Sequence, residues 1–228
     1  MKNISFELYK GEILGFYGLR GAGKTEIARA IYGIDETRGS IFINGQETEI
    51  KNPRVAIKKK ICMVPEERRT QGLVTKLSIR ENIPLMNIKK ISRYMFTIIW
   101  KERDLAKTYI EKLRIATADE DKTVSLLSGG NQQKVVLAKC LNAEGEIMLL
   151  DEPTRGIDVG AKQEIYKVIR DFSKEGKSVM VFSSDLPEII NLCDRIILLF
   201  DGEIKAVMKN NKEINREEIM LIVTGGKC

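Results

Sequence analysis

Gly18-Leu19-Arg20-Gly21-Ala22-Gly23-Lys24-Thr25 decides how the rest of this chain is read. The octet fits G-x-x-x-x-G-K-[ST], the pattern of a phosphate-binding loop. Its setting matters as much as its letters. Ile13–Tyr17 before it is a short apolar run, and Glu26–Tyr32 after it has helical spacing, with Gly33 as a stop. Glycines in such a loop let backbone N–H groups turn inward around phosphate oxygens, and the helix that follows directs its positive dipole end to the same place. Gly18, Leu19, Arg20, Gly21, Ala22 and Gly23 would form the cradle, Lys24 would reach the β- and γ-phosphates, and the Thr25 hydroxyl would ligate Mg²⁺.

Strand and helix signals alternate on both sides of this loop. Ile4–Tyr9 alternates apolar and polar residues, and Lys10-Gly11-Glu12 reads as a turn. Ser40–Ile43 followed by Asn44-Gly45 is a strand and turn, so the opening third is expected to hold a small antiparallel sheet. Ile61–Val64, Ile147–Leu150, Val179–Phe182 and Ile196–Phe200 read as buried strands. Asp201-Gly202 turns the last of these into Glu203–Val207. Helices are expected over Gln132–Leu141, Ala161–Ser173 (with Gly176 beyond its end) and Asn215–Val223. From Ser78 to about Leu113 the pattern is helical, and Trp100, Phe96 and Tyr94 are read as the core of a small helical lobe in preference to a partner groove. Together these signals predict an α/β domain: a mostly parallel sheet, a small antiparallel β subdomain and an inserted helical subdomain.

Composition narrows the chemistry. The 228 residues suffice for one large domain carrying an inserted lobe. Cys62, Cys140, Cys193 and Cys228 form no C-x-x-C pair, so they read as small apolar residues in a reducing compartment. No apolar run approaches the ~20 residues that span a bilayer, so direct membrane insertion is not expected. The net charge of +6 permits a polyanionic partner. Its basic residues, however, are scattered and often sit beside acidic ones, and no nucleic-acid partner is expected. With no histidine in the chain, histidine bases and histidine metal ligands are excluded.

The buried run Ile147–Leu150 carries Asp151 and Glu152 to a sheet edge before Pro153 stops the strand. Asp151 is a candidate for holding Mg²⁺ and Glu152 for polarising an attacking water. Leu127-Ser128-Gly129-Gly130-Asn131-Gln132-Gln133-Lys134 puts a hydroxyl and two unhindered backbone amides at a helix N-terminus, an arrangement that suits an anion. Ser128 read alone is an ordinary N-cap.

The order and spacing of these three motifs resembles the ATP-binding cassette ATPases. In that family the serine and glycines, here Ser128, Gly129 and Gly130 with Gln132 following, bind the γ-phosphate of a nucleotide held by the opposing domain. Val64-Pro65-Glu66-Glu67-Arg68-Arg69, Gly72-Leu73 and Asp151-Glu152-Pro153-Thr154-Arg155-Gly156-Ile157-Asp158-Val159-Gly160-Ala161-Lys162 look like the second cassette of bacterial sugar importers of the ribose/galactose type. The likeness implies one domain over residues 1–228, with a β and phosphate-loop core at about 1–65 and 140–228 and a helical lobe at about 66–139. It implies ATP and Mg²⁺ as ligands, a second cassette fused upstream, and an integral-membrane permease as partners. It also implies a place at the cytoplasmic face of the membrane, Asp158 in a loop at the dimer interface, and a first strand before Met1.

Two departures stand out. Most cassettes carry glutamine where this chain has Glu66, a position that touches Mg²⁺ and water, and histidine where it has Ser184. A serine hydroxyl is shorter and never cationic, so it cannot make the same γ-phosphate contact. The resemblance therefore implies either an ATP-hydrolysing subunit powering sugar import, or a mainly regulatory cassette that binds nucleotide and completes a partner's site through Ser128–Gly130. In isolation a monomer or weak dimer with low turnover is expected.

Overall fold

The computed structural model describes residues 3–36, 38–93, 96–210 and 215–226. In chain order its elements are β1 (Ile13–Tyr17), α1 (Lys24–Ile31), β2 (Phe42–Ile43), β3 (Gln46–Glu47), α2 (Pro53–Lys58) and β4 (Ile61–Val64). Then come α3 (Ile79–Asn82), β5 (Ser92–Arg93), β6 (Phe96–Thr97), α4 (Ile99–Leu113), α5 (Gly129–Asn142) and β7 (Ile147–Asp151). The last are α6 (Val159–Lys174), β8 (Ser178–Ser183), α7 (Leu186–Leu192), β9 (Arg195–Phe200), β10 (Glu203–Lys209) and α8 (Arg216–Val223). Contacts divide the chain into two units. One is Met1–Met63, Glu146–Pro153 and Ile169–Cys228; the other is Val64–Gly145 and Thr154–Val168.

The first unit is built on a six-stranded sheet of order β10-β9-β1-β8-β7-β4. Strand β1 lies between β8 and β9 and is parallel to both, with Gly15 opposite Val181 and Ile196. Strand β7 is parallel to β8. Every residue of β1, β4 and β8 is buried, which is why these strands read as unbroken apolar runs rather than alternations. Phe16 stacks on Phe182 at 4.6 Å between ring centres, and Phe6 meets Phe16 edge-on at 4.9 Å. Edge strand β10 runs antiparallel to β9 with a register shift between Ile204 and Ala206, and it exposes Lys205, Val207 and Lys209 along its length. Lysines and an irregular register are ways to keep an open edge from pairing with another chain. The expected fold class is the one observed: a mainly parallel sheet around a phosphate loop, a small antiparallel pair (β2 with β3), and inserted helices.

Three expectations need correction. Ile4–Tyr9 forms no strand; Ile4, Phe6 and Leu8 pack partly buried on the core, so their alternation records burial without a ladder. The stretch from Ser78 to Leu113 is not one helical run. Pro84 has no amide to continue α3, which ends at Asn82 and passes into a 3₁₀ turn at Ile83–Met86. A second 3₁₀ turn and the β5–β6 hairpin follow before α4 begins. Phe96 and Trp100 are not core: they are 80% and 67% exposed, while α4 turns Glu102, Ala106 and Leu113 inward. Tyr94 lies outside the described residues.

Helices α2 and α7 were not anticipated, although both carry a capping signal. Asn52 accepts the Val55 amide ahead of Pro53, and Asp185 accepts the Glu188 amide ahead of Pro187. Cys62, Cys140 and Cys193 are buried and in no disulfide, as expected of small apolar residues, and burial holds the Cys193 thiol well above its usual range. Cys228 is outside the described residues. Among the described residues no helix is long and apolar enough to cross a membrane.

Candidate functional site

In the first unit the loop from Gly18 to Gly23 joins the buried β1 to α1, and Leu19, Arg20 and Gly21 form its exposed crest. Gly18 is held so close to the β9 end that a Cβ there would lie 2.7 Å from the Leu199 carbonyl oxygen. Gly23 caps α1 in the left-handed region at φ 98°. Lys24, though charged, is only 5% exposed. Its ammonium donates to the Gly18 carbonyl at 2.7 Å and the Leu19 carbonyl at 3.0 Å, so it pins the loop across its own mouth. Those carbonyls are the partners that phosphate oxygens would have to replace or supplement.

Strand β7 brings Asp151 to the same place. The Thr25 hydroxyl donates to Asp151 Oδ1 at 3.3 Å, and Asp151 is 1% exposed. A hydroxyl and a carboxylate oxygen side by side form a hard, oxygen-only donor pair. Mg²⁺ is held in nucleotide sites by one or two such protein oxygens, with waters and phosphate completing its shell, so the residues present fit that ion. No larger cluster of metal-ligating acids, cysteines or histidines occurs among the described residues.

Glu152 follows in an unusual conformation for a residue with a side chain, φ 46°. That region costs roughly 1–2 kcal/mol for a non-glycine residue, and surrounding bonds must hold it there. They do: the Glu152 amide donates to the Phe182 carbonyl at 2.8 Å, and Oε1 accepts the Ser184 amide at 2.8 Å. Ser184 therefore reaches Glu152 through its backbone. Ser183 and Glu188 were not among the candidates, and they complete the arrangement. The Ser183 hydroxyl donates to Glu188 Oε2 at 2.5 Å, lies 3.4 Å from Glu152 Oε2, and accepts the Asp185 amide. Glu188 is 1% exposed, and the available signal was only its spacing, an acid three residues beyond an aspartate that can cap a helix.

The remaining candidates belong to the second unit. Ser128 caps α5, accepting from the Asn131 backbone at 3.5 Å and from its side chain at 2.9 Å. A Cβ on Gly129 would sit 2.7 Å from the Arg68 guanidinium, and one on Gly130 would sit 2.7 Å from the Ala161 Cβ. Packing inside this unit therefore requires Gly130 to be small, independently of any ligand, whereas at Gly129 the end of the Arg68 side chain can shift. Gln132 is fully buried; its amide takes a bond from Arg69 at 3.2 Å and gives one to the Val124 carbonyl at 3.1 Å. Asp158 is exposed and accepts the Ala161 amide at 2.9 Å, capping α6. Glu66 is paired with Arg155, whose carbonyl accepts from Arg68 at 2.8 Å. A carboxylate that would stand bare beside a polyanion thus has a cation of its own. Burial, with Arg69 alongside, pulls the Arg68 guanidinium below its usual range.

The profile of the ABC transporter family matches residues 1–155. The chain is 45% identical over 228 residues to the ribose import ATP-binding protein RbsA of Caldanaerobacter subterraneus subsp. tengcongensis, covering 99% of this chain and 46% of that protein. It is 45% identical over 227 residues to the protein of the same name from Lactococcus lactis subsp. cremoris, again covering 99% and 46%. The chain thus spans about half the length of the curated relatives it matches. Among solved structures it resembles a dimeric ATP-binding cassette in a post-hydrolysis state bound to ADP and Pi, at TM-score 0.79 and 25% identity over 92% of this chain and 90% of that one.

Proposed function

This chain belongs to the ABC transporter family as an ATP-binding domain closely related to sugar-import ATPases, and from that premise we propose that it is the second of two fused cassettes, hydrolysing ATP to power import of a simple sugar through a membrane permease. The observation that supports the reading is the Thr25–Asp151 contact beside the loop that Lys24 pins, with Glu152 next in the chain and held by the Ser184 amide. Its motifs in the order found here, and relatives about twice its length, support the fused arrangement.

In this reading the amides of Gly18–Thr25 and the N-terminus of α1 bind the phosphates, and Lys24 turns from the loop carbonyls toward the β- and γ-phosphates. Thr25 and Asp151 would hold Mg²⁺, which would neutralise phosphate charge. Glu152 is the catalytic base: the Ser184 amide fixes one of its oxygens, and the other remains available to orient a water. The N-terminus of α5, with Ser128, Gly129 and Gly130, faces the γ-phosphate of the partner cassette's nucleotide. Gln132 contributes by holding that helix start, and Asp158 by shaping the interface loop at the start of α6. Motion of the Glu66–Gly72 loop and the helical lobe passes to the permease, which keeps the cassette at the cytoplasmic face of the membrane.

A second reading has its own observations. Glu66 is tied to Arg155, and Ser184 offers Glu152 only a backbone amide. Both fit a cassette that binds ATP, hydrolyses it weakly, and serves mainly to complete the partner's site. The two readings part at the Glu152 carboxylate, which only the first requires. Nucleotide binding, common to both, is tested with a fluorescent ATP analogue. Lys24→Ala should abolish its binding while leaving the fold intact by circular dichroism, and unchanged affinity would sink both readings.

A further inference from the structure

Two carboxylates of the first unit face one hydroxyl. Ser183, buried at the end of β8, places its Oγ 2.5 Å from Glu188 Oε2 and 3.4 Å from Glu152 Oε2. A serine hydroxyl has one proton to give and two sites with which to accept. The first distance is that of a charge-assisted O–H···O⁻ bond, and the second exceeds the span of an O–H···O bond. The proton therefore goes to Glu188. One accepting site takes the Asp185 amide at 3.0 Å, and the other is left on the Glu152 side. Glu152 Oε2 thus meets an oxygen that offers it no proton, while the Ser184 amide holds Oε1 at 2.8 Å.

The start of α7 fixes this arrangement without explaining it. Asp185 caps the helix ahead of Pro187, and the Glu188 amide donates to Asp185 Oδ1 at 3.4 Å. That cap uses the Glu188 backbone, not its carboxylate. The carboxylate is 1% exposed, and burying such a group costs stability that helix capping does not require.

We propose that Glu188 is a positioning residue for ATP hydrolysis: by holding the Ser183 proton it keeps Glu152 Oε2 clear of a competing donor and open to the attacking water. The inference rests on the reading of Glu152 as the base. Without an acceptor at position 188, the Ser183 hydroxyl turns about its C–O bond toward Glu152 Oε2. A proton donated there occupies the place that water needs. Water must then displace a bond to a charged acceptor, worth about a factor of ten or more.

The test is single-turnover phosphate release from labelled ATP, in the joined two-cassette protein with the other site silenced. Glu188→Met replaces the acid by an apolar chain of similar length. It should slow release by about tenfold while ATP affinity changes by less than about twofold. Adding Ser183→Ala removes the misdirected donor, so the double variant should release phosphate severalfold faster than Glu188→Met alone. A purely structural tie between β8 and α7 predicts the reverse order, because the second substitution removes one more contact. Glu188→Leu repeats the comparison where methionine does not fit, and melting temperature checks that each variant folds. Release by Glu188→Met at the native rate, or a double variant no faster than the single one, overturns the inference and leaves the reading of Glu152 in place. Glu152→Gln separates the two: native-rate release from that variant overturns the catalytic reading, and the inference falls with it.

Discussion

Replacing Glu152 by glutamine separates chemistry from structure at this site. In the native chain Oε1 accepts the Ser184 amide at 2.8 Å, and Oε2 lies 3.4 Å from the Ser183 hydroxyl, whose single proton goes to Glu188 at 2.5 Å. A glutamine fits this pattern without moving anything. Its carbonyl takes the Ser184 amide, and its NH₂ donates to the lone pair that Ser183 still offers. Stability should therefore change by no more than about 0.5 kcal/mol, and nucleotide binding should persist. What disappears is a group able to take a proton from water, an effect of about 10²- to 10⁴-fold, or roughly 3–5 kcal/mol on the barrier. The assay is single-turnover phosphate release from labelled ATP in the joined two-cassette protein with the other site silenced. Glu152→Ala is the structural comparison. It strands the Ser184 amide at a cost of about 1–3 kcal/mol, which thermal unfolding would detect. Phosphate release by the glutamine variant at the native rate would refute the catalytic role, and loss of ATP binding together with hydrolysis would refute the claim that the site is undisturbed.

Three further outcomes are expected. Gly130→Ala must push the new methyl past the Ala161 Cβ, 2.7 Å away in the first turn of α6; overpacking of that kind costs about 1–3 kcal/mol and should lower the melting temperature by about 2–4 °C per kcal/mol, whereas Gly160→Ala, with Asp158 Oδ1 at 3.4 Å, should be tolerated. Ser128→Arg loses the α5 cap, worth about 1 kcal/mol, and should cut hydrolysis at the partner cassette's site far more than it changes nucleotide affinity at this chain's own loop; equal activity would count against the in-trans role. Arg155→Glu leaves Glu66 facing a like charge, and adding Glu66→Arg should restore stability through the reversed pair; because both side chains are about a third or more exposed, a urea double-mutant cycle should give a coupling of roughly 0.2–1 kcal/mol, and zero coupling would show that the contact is incidental.

The parts of the fold that were legible beforehand share one physical property: their side-chain pattern is set by burial on both faces. Ile13–Tyr17 and Ile61–Val64 were read with the bounds the structure gives them, because a strand covered on both sides favours an unbroken apolar run and admits a polar residue only where it finds a partner. Ile4–Tyr9 shows the limit of that logic. An alternating stretch announces one buried face, but a strand also needs a neighbour to pair with, and pairing leaves no local trace in the sequence. The lobe between Ser78 and Leu113 failed for a related reason. Apolar content was taken as a core, whereas Pro84 and the hairpin that follows turn Phe96 and Trp100 outward. A count of apolar residues cannot distinguish those two outcomes.

The candidate site divides along a similar line. Gly18–Thr25, Asp151 and Glu152 stand out as candidates in the sequence because phosphate and metal chemistry restricts which residue types can stand at fixed spacing along the chain. The groups that hold those residues in place are under no such restriction. Ser183, the Ser184 amide and Glu188 act on Glu152 through one hydroxyl, one backbone N–H and one buried carboxylate, and each could be supplied by many sequences. The same holds for Glu66. By residue type it looked like a charge misplaced near a polyanion, and its neutralising partner Arg155 stands far away in the chain. Only folding brings the two together. If the pair matters to the site, a chain with acid at position 66 needs a cation at position 155, and the double substitution above, assayed for ATP affinity as well as stability, tests that dependence directly.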